Sequence, residues 1–338
     1  MKNKRYTCIK HLGFAAFTAA MFCSQFALAE TLTIATDSGA RGSDAGNSME
    51  EWARQIETAT NGEIELEIFY QNELGGQQEV FDLLMLGEVD LMLNWPMTTY
   101  DKRISLIYTP YMFNTWGEAL DAYAPDGWLN NKLDDIYADL GLKVLGAWPE
   151  GFNGIATKNG HATTIEEASS FKVRVPPIFP FTESVSALGY QTAAIDWGEL
   201  YSAIQTGVVD GDAANVIFYD YTYFGDLLTD YVRTKHQFIT GMLTANSESL
   251  NKLSDKQRKA IEDAAISVMN NQFEAAQAAD QSYIDSWKEL GHTYVYLADE
   301  DFMDHATVVR KEVWPQMEKV VGDEIMSLIK KHSFALQE

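Results

Sequence analysis

Cysteine is almost missing from this chain: of 338 residues only Cys8 and Cys23 carry a thiol. Both fall in an opening that runs from basic Met1-Lys2-Asn3-Lys4-Arg5 through an apolar stretch, Leu12 to Leu28, to Ala27-Leu28-Ala29 before Glu30. That is the order of a secretory signal, with cleavage expected after Ala29. The apolar stretch is interrupted by Thr18, Ser24 and Gln25 and is short for a span of about 20 apolar residues, which disfavours a membrane anchor. Bulky Met21-Phe22 before Cys23 disfavours a lipid anchor. The mature chain is then expected to lack cysteine, which excludes disulfides, a thiolate nucleophile and a thiolate metal site.

Basic residues are also in deficit, 25 Lys and Arg against 49 Asp and Glu. Removing residues 1–29 leaves 21 basic residues, a net charge of −28, and excludes nucleic acid as a partner. Such acidity suits solubility in salty surroundings. It also repels anions, so a pocket for an anion has to contain a well-placed Arg or Lys.

Proline is scarce, at 8 residues, and no low-complexity or Pro-rich tether divides the chain. A mature length of 309 residues suggests two domains, joined by crossing strands and shared helices. The phosphate loop, dinucleotide fingerprint, nucleophile elbow and zinc-protease helix are absent. His161, His236, His292, His305 and His332 show no metal spacing and are expected on the surface. Close carboxylates are expected by chance among so many acids, and Asp210-Gly211-Asp212 is read as a turn in preference to a cation site. No cluster demands an enzyme, a metal or a cofactor.

What the chain does contain is an alternation of strands and helices. Leu32–Thr36 predicts a strand, about Ala45 to Thr60 a helix stopped by Asn61-Gly62, and Ile64–Phe69 a half-exposed strand. Gln77 to Leu86 predicts a helix closed by Gly87, and Val89–Leu93 a buried strand that delivers Asn94 and Trp95 at its carboxyl end, where open α/β sheets bind ligands. A matching unit follows downstream: Glu79, Gly87 and Asp90 recur in spacing as Glu199, Gly207 and Asp210, with Asn94 and Asn215 beyond. Two lobes of related design facing each other across a cleft explain this economically. From N-cap Ser254, Lys256 to Leu290 predicts a helix of about 36 residues, roughly 50 Å, long enough to brace both lobes.

Phe171-Lys172-Val173-Arg174-Val175-Pro176-Pro177, Ala187-Leu188-Gly189 and Glu199 through Gln205-Thr206-Gly207-Val208-Val209-Asp210-Gly211 closely resemble the binding proteins of tripartite ATP-independent periplasmic (TRAP) transporters, the DctP family. Leu74-Gly75-Gly76, Leu86-Gly87-Glu88-Val89-Asp90 and Glu150-Gly151-Phe152 agree. The resemblance implies a two-lobed α/β periplasmic-binding-protein fold, class II-like, with a cleft and a long helix spanning both lobes. On this division residues 30–152 plus 241–280 form lobe 1, and 153–240 plus 281–338 form lobe 2. It further implies a periplasmic, non-enzymatic protein that takes a small organic anion to the small and large membrane subunits of the transporter. A ligand-sensing subunit of a receptor is the alternative.

The family's signature arginine falls on Arg174, whose planar donors suit a carboxylate. A structural salt bridge is disfavoured at the apolar Val173-Arg174-Val175 strand. The resemblance also implies that Asn215 helps hold the carboxylate, that Asn94, Asn153 and Asp37 line the cleft, and that Trp197 stacks on the ligand. Many members place a second arginine where this chain has Asn153, so a monocarboxylate, with a sulfonate as the alternative, is favoured over a dicarboxylate. Trp95, Trp148, Phe179, Phe218 and Tyr219 supply further rings near the cleft, which suits an apolar, aromatic or zwitterionic body. A lyase or hydrolase acting on an acid would need a base and a leaving-group acid in the cleft, for which Glu150 and Asp37 are the candidates.

Overall fold

The computed structural model describes residues 29–336 except Ser38 and Asn72. The signal expected at residues 1–29, with both cysteines, lies outside the described residues apart from Ala29. From there the chain runs β1 (Glu30–Thr36), α1 (Asp44–Ala59), β2 (Ile64–Phe69), α2 (Gln77–Leu86) and β3 (Leu91–Asn94). A 3₁₀ turn at Lys102–Tyr108, α3 (Trp116–Tyr123), α4 (Trp128–Ala138) and the long strand β4 (Leu142–Phe152) complete this half. Then come β5 (Ile155–Thr157), α5 (Ile165–Ala168), β6 (Lys172–Val175), α6 (Phe181–Ala187), β7 (Gln191–Ala194), α7 (Leu200–Thr206), β8 (Gly211–Asp212), α8 (Ile217–Phe224) and β9 (Asp230–Arg233). The chain returns through β10 (Phe238–Asn246) and α9 (Ser247–Lys252), and ends with α10 (Asp255–Glu289), β11 (Thr293–Tyr296), α11 (Asp299–Val321) and α12 (Asp323–His332).

The strands form two sheets, one per lobe. The first has the order β2-β1-β3-β10-β4, with β1 parallel to β2 and β3, and β10 antiparallel to β3 and β4. The second has the order β11-β9-β5-β8-β6-β7, parallel except where β5 meets β8 and β9. The backbone passes between sheets at Asn153–Gly154 and again at Thr234–Gln237. Expected at 240/241, the second crossing comes before β10, whose nine residues all belong to the first sheet.

Helix α10 is the third connection. Ser254 caps it by accepting from the Gln257 amide, no Pro or Gly interrupts its 35 residues, and it packs on α1 and β4 before reaching α8 and β11. The C-terminal helices, expected with the second lobe, also lie across both. Helix α11 packs on the Lys102–Tyr108 turn and on α6, while α12 reaches α4 through Glu324–Lys132 at 3.1 Å and through stacked His332 and Trp128.

The repeated unit is real at atomic level. In lobe 1, Gly87 closes α2 at φ 74°, the amides of Glu88 and Val89 donate to the Leu83 carbonyl, and Asp90 exchanges two hydrogen bonds with the Thr33 backbone. In lobe 2, Gly207 closes α7 at φ 78°, Val208 and Val209 donate to the Ala203 carbonyl, and Asp210 exchanges two with the Lys172 backbone. Both glycines occupy the left-handed region that side chains resist. Each unit therefore aims the end of a strand, Asn94 or Asp212, at the space between the sheets.

Two histidines depart from expectation. His236 and His305 are buried, and burial pushes His236 down to about 3, so it is neutral at ordinary pH. It sits in the second crossing, between Thr234 Oγ1 at 2.6 Å and the Ala213 carbonyl at 2.9 Å.

Candidate functional site

Between the sheets lies a cavity of about 140 Å³ with walls from both lobes. Trp95, Tyr108, Glu150 and Ile239 come from the first, and Arg174, Phe181, Trp197, Asn215, Tyr219 and Tyr223 from the second. Six of the expected site residues meet here: Arg174, Asn215, Trp197, Trp95, Glu150 and Tyr219.

Arg174 is buried, and its guanidinium is not free as the apolar strand suggested. Nη1 donates to Asp212 Oδ1 at 3.1 Å and Nε to the Ile195 carbonyl at 2.7 Å. The correction has a physical reason that linear sequence hides. Arg174 and Asp212 are register neighbours on parallel β6 and β8, and a cation this dry needs a nearby charge. Asp212 is itself tightly held, since Oδ2 accepts from the amides of Ala214 at 2.8 Å and Asn215 at 2.9 Å. Among the described residues no acceptor is bonded to Arg174 Nη2. The acid therefore fixes the plane of the guanidinium and leaves one end of the fork for a guest.

Asn215 gives one amide hydrogen to Asp220 Oδ1 at 2.9 Å and keeps the other. Asp220 is fully buried and among the described residues its Oδ2 has no partner; burial, reinforced by the charge of Asp212, raises its pKa well above the usual carboxylate range. A protonated Asp220 lets this crowded corner hold two acids and one guanidinium.

Across the cavity, Glu150 ends β4 and accepts from the Tyr219 hydroxyl of α8 at 2.6 Å, a hydrogen bond from lobe to lobe. Burial pushes Glu150 up to about 8, and the Tyr219 and Trp95 donors offset this only in part. At pH 7 the group is mostly the neutral acid. The rings frame this polar pair: Trp197 meets Tyr219, Tyr223 and Phe224 edge-on at 5.5 to 5.8 Å, and Trp95 meets Trp148 edge-on at 6.0 Å.

Other expected residues lie elsewhere. Trp148 and Phe218 line a second cavity of about 280 Å³ on the far side of the Glu150–Tyr219 bridge. Asn94 and Asp37 do not line the main cavity but stand behind Trp95, where Asn94 Nδ2 donates to the Trp95 carbonyl at 3.1 Å and Asp37 accepts from its amide at 3.3 Å. They hold that backbone in place, which is what a strand end aimed at a cleft requires. Asn153 is engaged in the crossing: Oδ1 accepts from the Gln237 amide at 2.9 Å, and Nδ2 donates to Gln237 Oε1 at 3.4 Å. Its short side chain cannot leave these partners for the cavity. Phe179 does not line it, whereas Phe181 does.

Tyr108, Phe181, Tyr223, Asp212 and Asp220 were missed. Tyr223 stands one turn beyond Tyr219 on α8, a spacing that could have found it. Asp212 was in view within Asp210-Gly211-Asp212 but read as a turn; it belongs to β8. Among the described residues no group of three His, Cys, Asp or Glu side chains could hold a metal ion.

Comparison with known proteins shows the family and the fold. The family model described as bacterial extracellular solute-binding protein, family 7 (DctP) matches residues 36–319. A solute-binding protein of Chromohalobacter salexigens is 24% identical over 247 residues, 71% of this chain and 73% of that one. The ectoine-binding periplasmic protein TeaA of Halomonas elongata is 22% identical over 285 residues, 82% of this chain and 83% of its own. Among solved structures, a TRAP periplasmic solute-binding protein from Desulfovibrio salexigens with bound orotic acid matches at a TM-score of 0.81 and 21% identity, covering 90% of this chain and 98% of that one.

Proposed function

The chain belongs to family 7 of the bacterial extracellular solute-binding proteins, the DctP family, and from that premise we propose that its ligand is a compact monocarboxylate whose body carries a ring or a positive charge. As a member it is a non-enzymatic TRAP solute-binding protein for small organic acids, acting with membrane components of a transporter. The finer reading rests on one observation, the half-free fork of Arg174 facing the protonated Glu150 of the other lobe across a box of rings.

Charge decides between acids. Arg174 is already balanced by Asp212, and Glu150 and Asp220 are neutral, so the cleft holds little surplus positive charge. One carboxylate gains charge-assisted hydrogen bonds of about 1.5 to 3 kcal/mol each. A second would enter without a partner and carry the cost of burying a bare charge. A cationic group beside Glu150 would instead be welcomed by the rings and, on displacing the proton, by the carboxylate. The cavity, of about 140 Å³, suits a small ring and not an oligosaccharide. That TeaA is named for ectoine supports the same class.

The lobes close on such a guest, and the closed face is read by the small and large membrane subunits. A thermal-shift screen of ectoine, orotate, D-glucuronate and succinate, with calorimetry of each hit in two buffers of different ionisation heat, tests the assignment. A monocarboxylate should stabilise most, by about 2.7 kcal/mol at 100 times its dissociation constant. If it carries a cation, binding at pH 7 should release close to one proton from Glu150. Preference for succinate would overturn the monocarboxylate reading.

A further inference from the structure

Glu150 and Tyr219 belong to two cavities at once. They line the main one, of about 140 Å³, and also the second, of about 280 Å³, so the hydrogen bond between them is a partition between two chambers of one interlobe space. Arg174 does not line the larger chamber. One wall of that chamber is helix α10, where Gln272, Ala276, Ala279 and Tyr283 recur at helical spacing and the two alanines leave room. Trp148 of β4 and Phe218 of α8 face it from the two lobes. Phe218 touches a ring on either side, Tyr219 of the partition at 4.8 Å and Tyr283 at 4.9 Å.

The walls say what would fit. Trp148 is buried, and among the described residues its indole N–H has no acceptor, a donor left for a guest's oxygen or ring face. Among the described residues no Lys or Arg lines the chamber. Its acids are Glu150, Asp44, exposed at the start of α1, and Asp280, already held by Arg233 at 2.6 Å. A second carboxylate arriving here meets repulsion and no cation, whereas an uncharged ring or chain meets aromatic surface. The partition itself yields easily, because one hydrogen bond to a neutral acid contributes little net free energy, and Tyr219 keeps the support of stacked Tyr223 at 6.0 Å.

We propose that this chamber is an arm subsite: a carboxylate too long for the main cavity parts Glu150 from Tyr219 and lays an aryl or alkyl arm among Trp148, Phe218 and Tyr283. The subsite rests on Arg174 holding the carboxylate, and it widens the ligand class from compact acids to ω-aryl alkanoates. The ring gains burial in the second chamber that the first has no room to give.

Calorimetry with phenylacetate and phenylhexanoate is the test. Phenylhexanoate should bind at least as tightly as phenylacetate, and Ala276→Phe, which fills the chamber from α10, should weaken it by about tenfold or more while leaving phenylacetate unchanged. Tyr219→Phe, which removes the hydrogen bond of the partition and keeps the ring, should raise the affinity for phenylhexanoate relative to phenylacetate. A co-crystal structure should show the phenyl ring against Phe218 and Tyr283. Should Ala276→Phe not fold, Ala279→Leu takes its place. Phenylacetate bound with phenylhexanoate rejected, or both acids affected alike by Ala276→Phe, would overturn the subsite and leave the monocarboxylate reading standing. Rejection of both acids would also overturn the subsite, while preference for succinate in the thermal-shift screen decides the monocarboxylate reading on its own.

Discussion

Asp212 Oδ1 meets Arg174 Nη1 at 3.1 Å across two neighbouring parallel strands, so this guanidinium of the cleft is oriented before any ligand arrives. Pre-orientation lowers the entropy that capture has to spend on ordering a long side chain. It also makes the pair a structural element of the second lobe, with consequences that can be measured.

Removing Asp212 leaves a buried cation and two backbone amides without their acceptor. Asp212→Ala should lower stability by about 3 to 5 kcal/mol in urea unfolding. A loss under about 1 kcal/mol would mean that water replaces the carboxylate and that the guanidinium is wetter than its burial indicates.

Glu150 gives the protein a pH dependence whose sign follows from its raised pKa. Below its ordinary value of 4.5 the group is protonated in folded and unfolded chains alike, and between there and about 8 only the unfolded chain loses the proton. Stability should therefore fall as pH rises through that window. Glu150→Gln keeps an acceptor for Tyr219 and removes the titration, so its melting temperature should overtake that of the parent toward pH 8 and converge with it near pH 4.5. Parallel profiles would show that Glu150 is solvated and ionised.

The paired units predict paired effects. Asp90→Ala should free the Thr33 amide to exchange with solvent, and Asp210→Ala the Lys172 amide, each in its own lobe. Loss of each half-buried acceptor should cost about 1 kcal/mol. Hydrogen exchange resolved by residue checks this, and protection lost equally in both lobes from one substitution would deny them separate cores.

The repeat itself was legible in sequence because its signals are local. A glycine after a helix and an acid three residues on are set by backbone geometry within one turn, and the long helix announced itself through an N-cap and a run free of Pro and Gly. The site was legible only where the residue type is demanding, as at Arg174, Glu150, Trp95 and Trp197. What stayed hidden was set by partners distant in sequence. The salt bridge depends on the register of β6 against β8, and the withdrawal of Asn153 from the cleft depends on Gln237 in the return crossing. Burial hid as well, since His236 and Asp220 look like surface residues until the strands and helices around them are assembled.

The account stands on Arg174 as the anchor of the ligand's carboxylate. Calorimetry of the best-binding acid should show Arg174→Ala weakening it by about 100-fold or more, as expected for two lost charge-assisted hydrogen bonds, with Arg174→Lys in between because it keeps the charge and loses the fork. An affinity unchanged in Arg174→Ala, in a variant that folds, would contradict it.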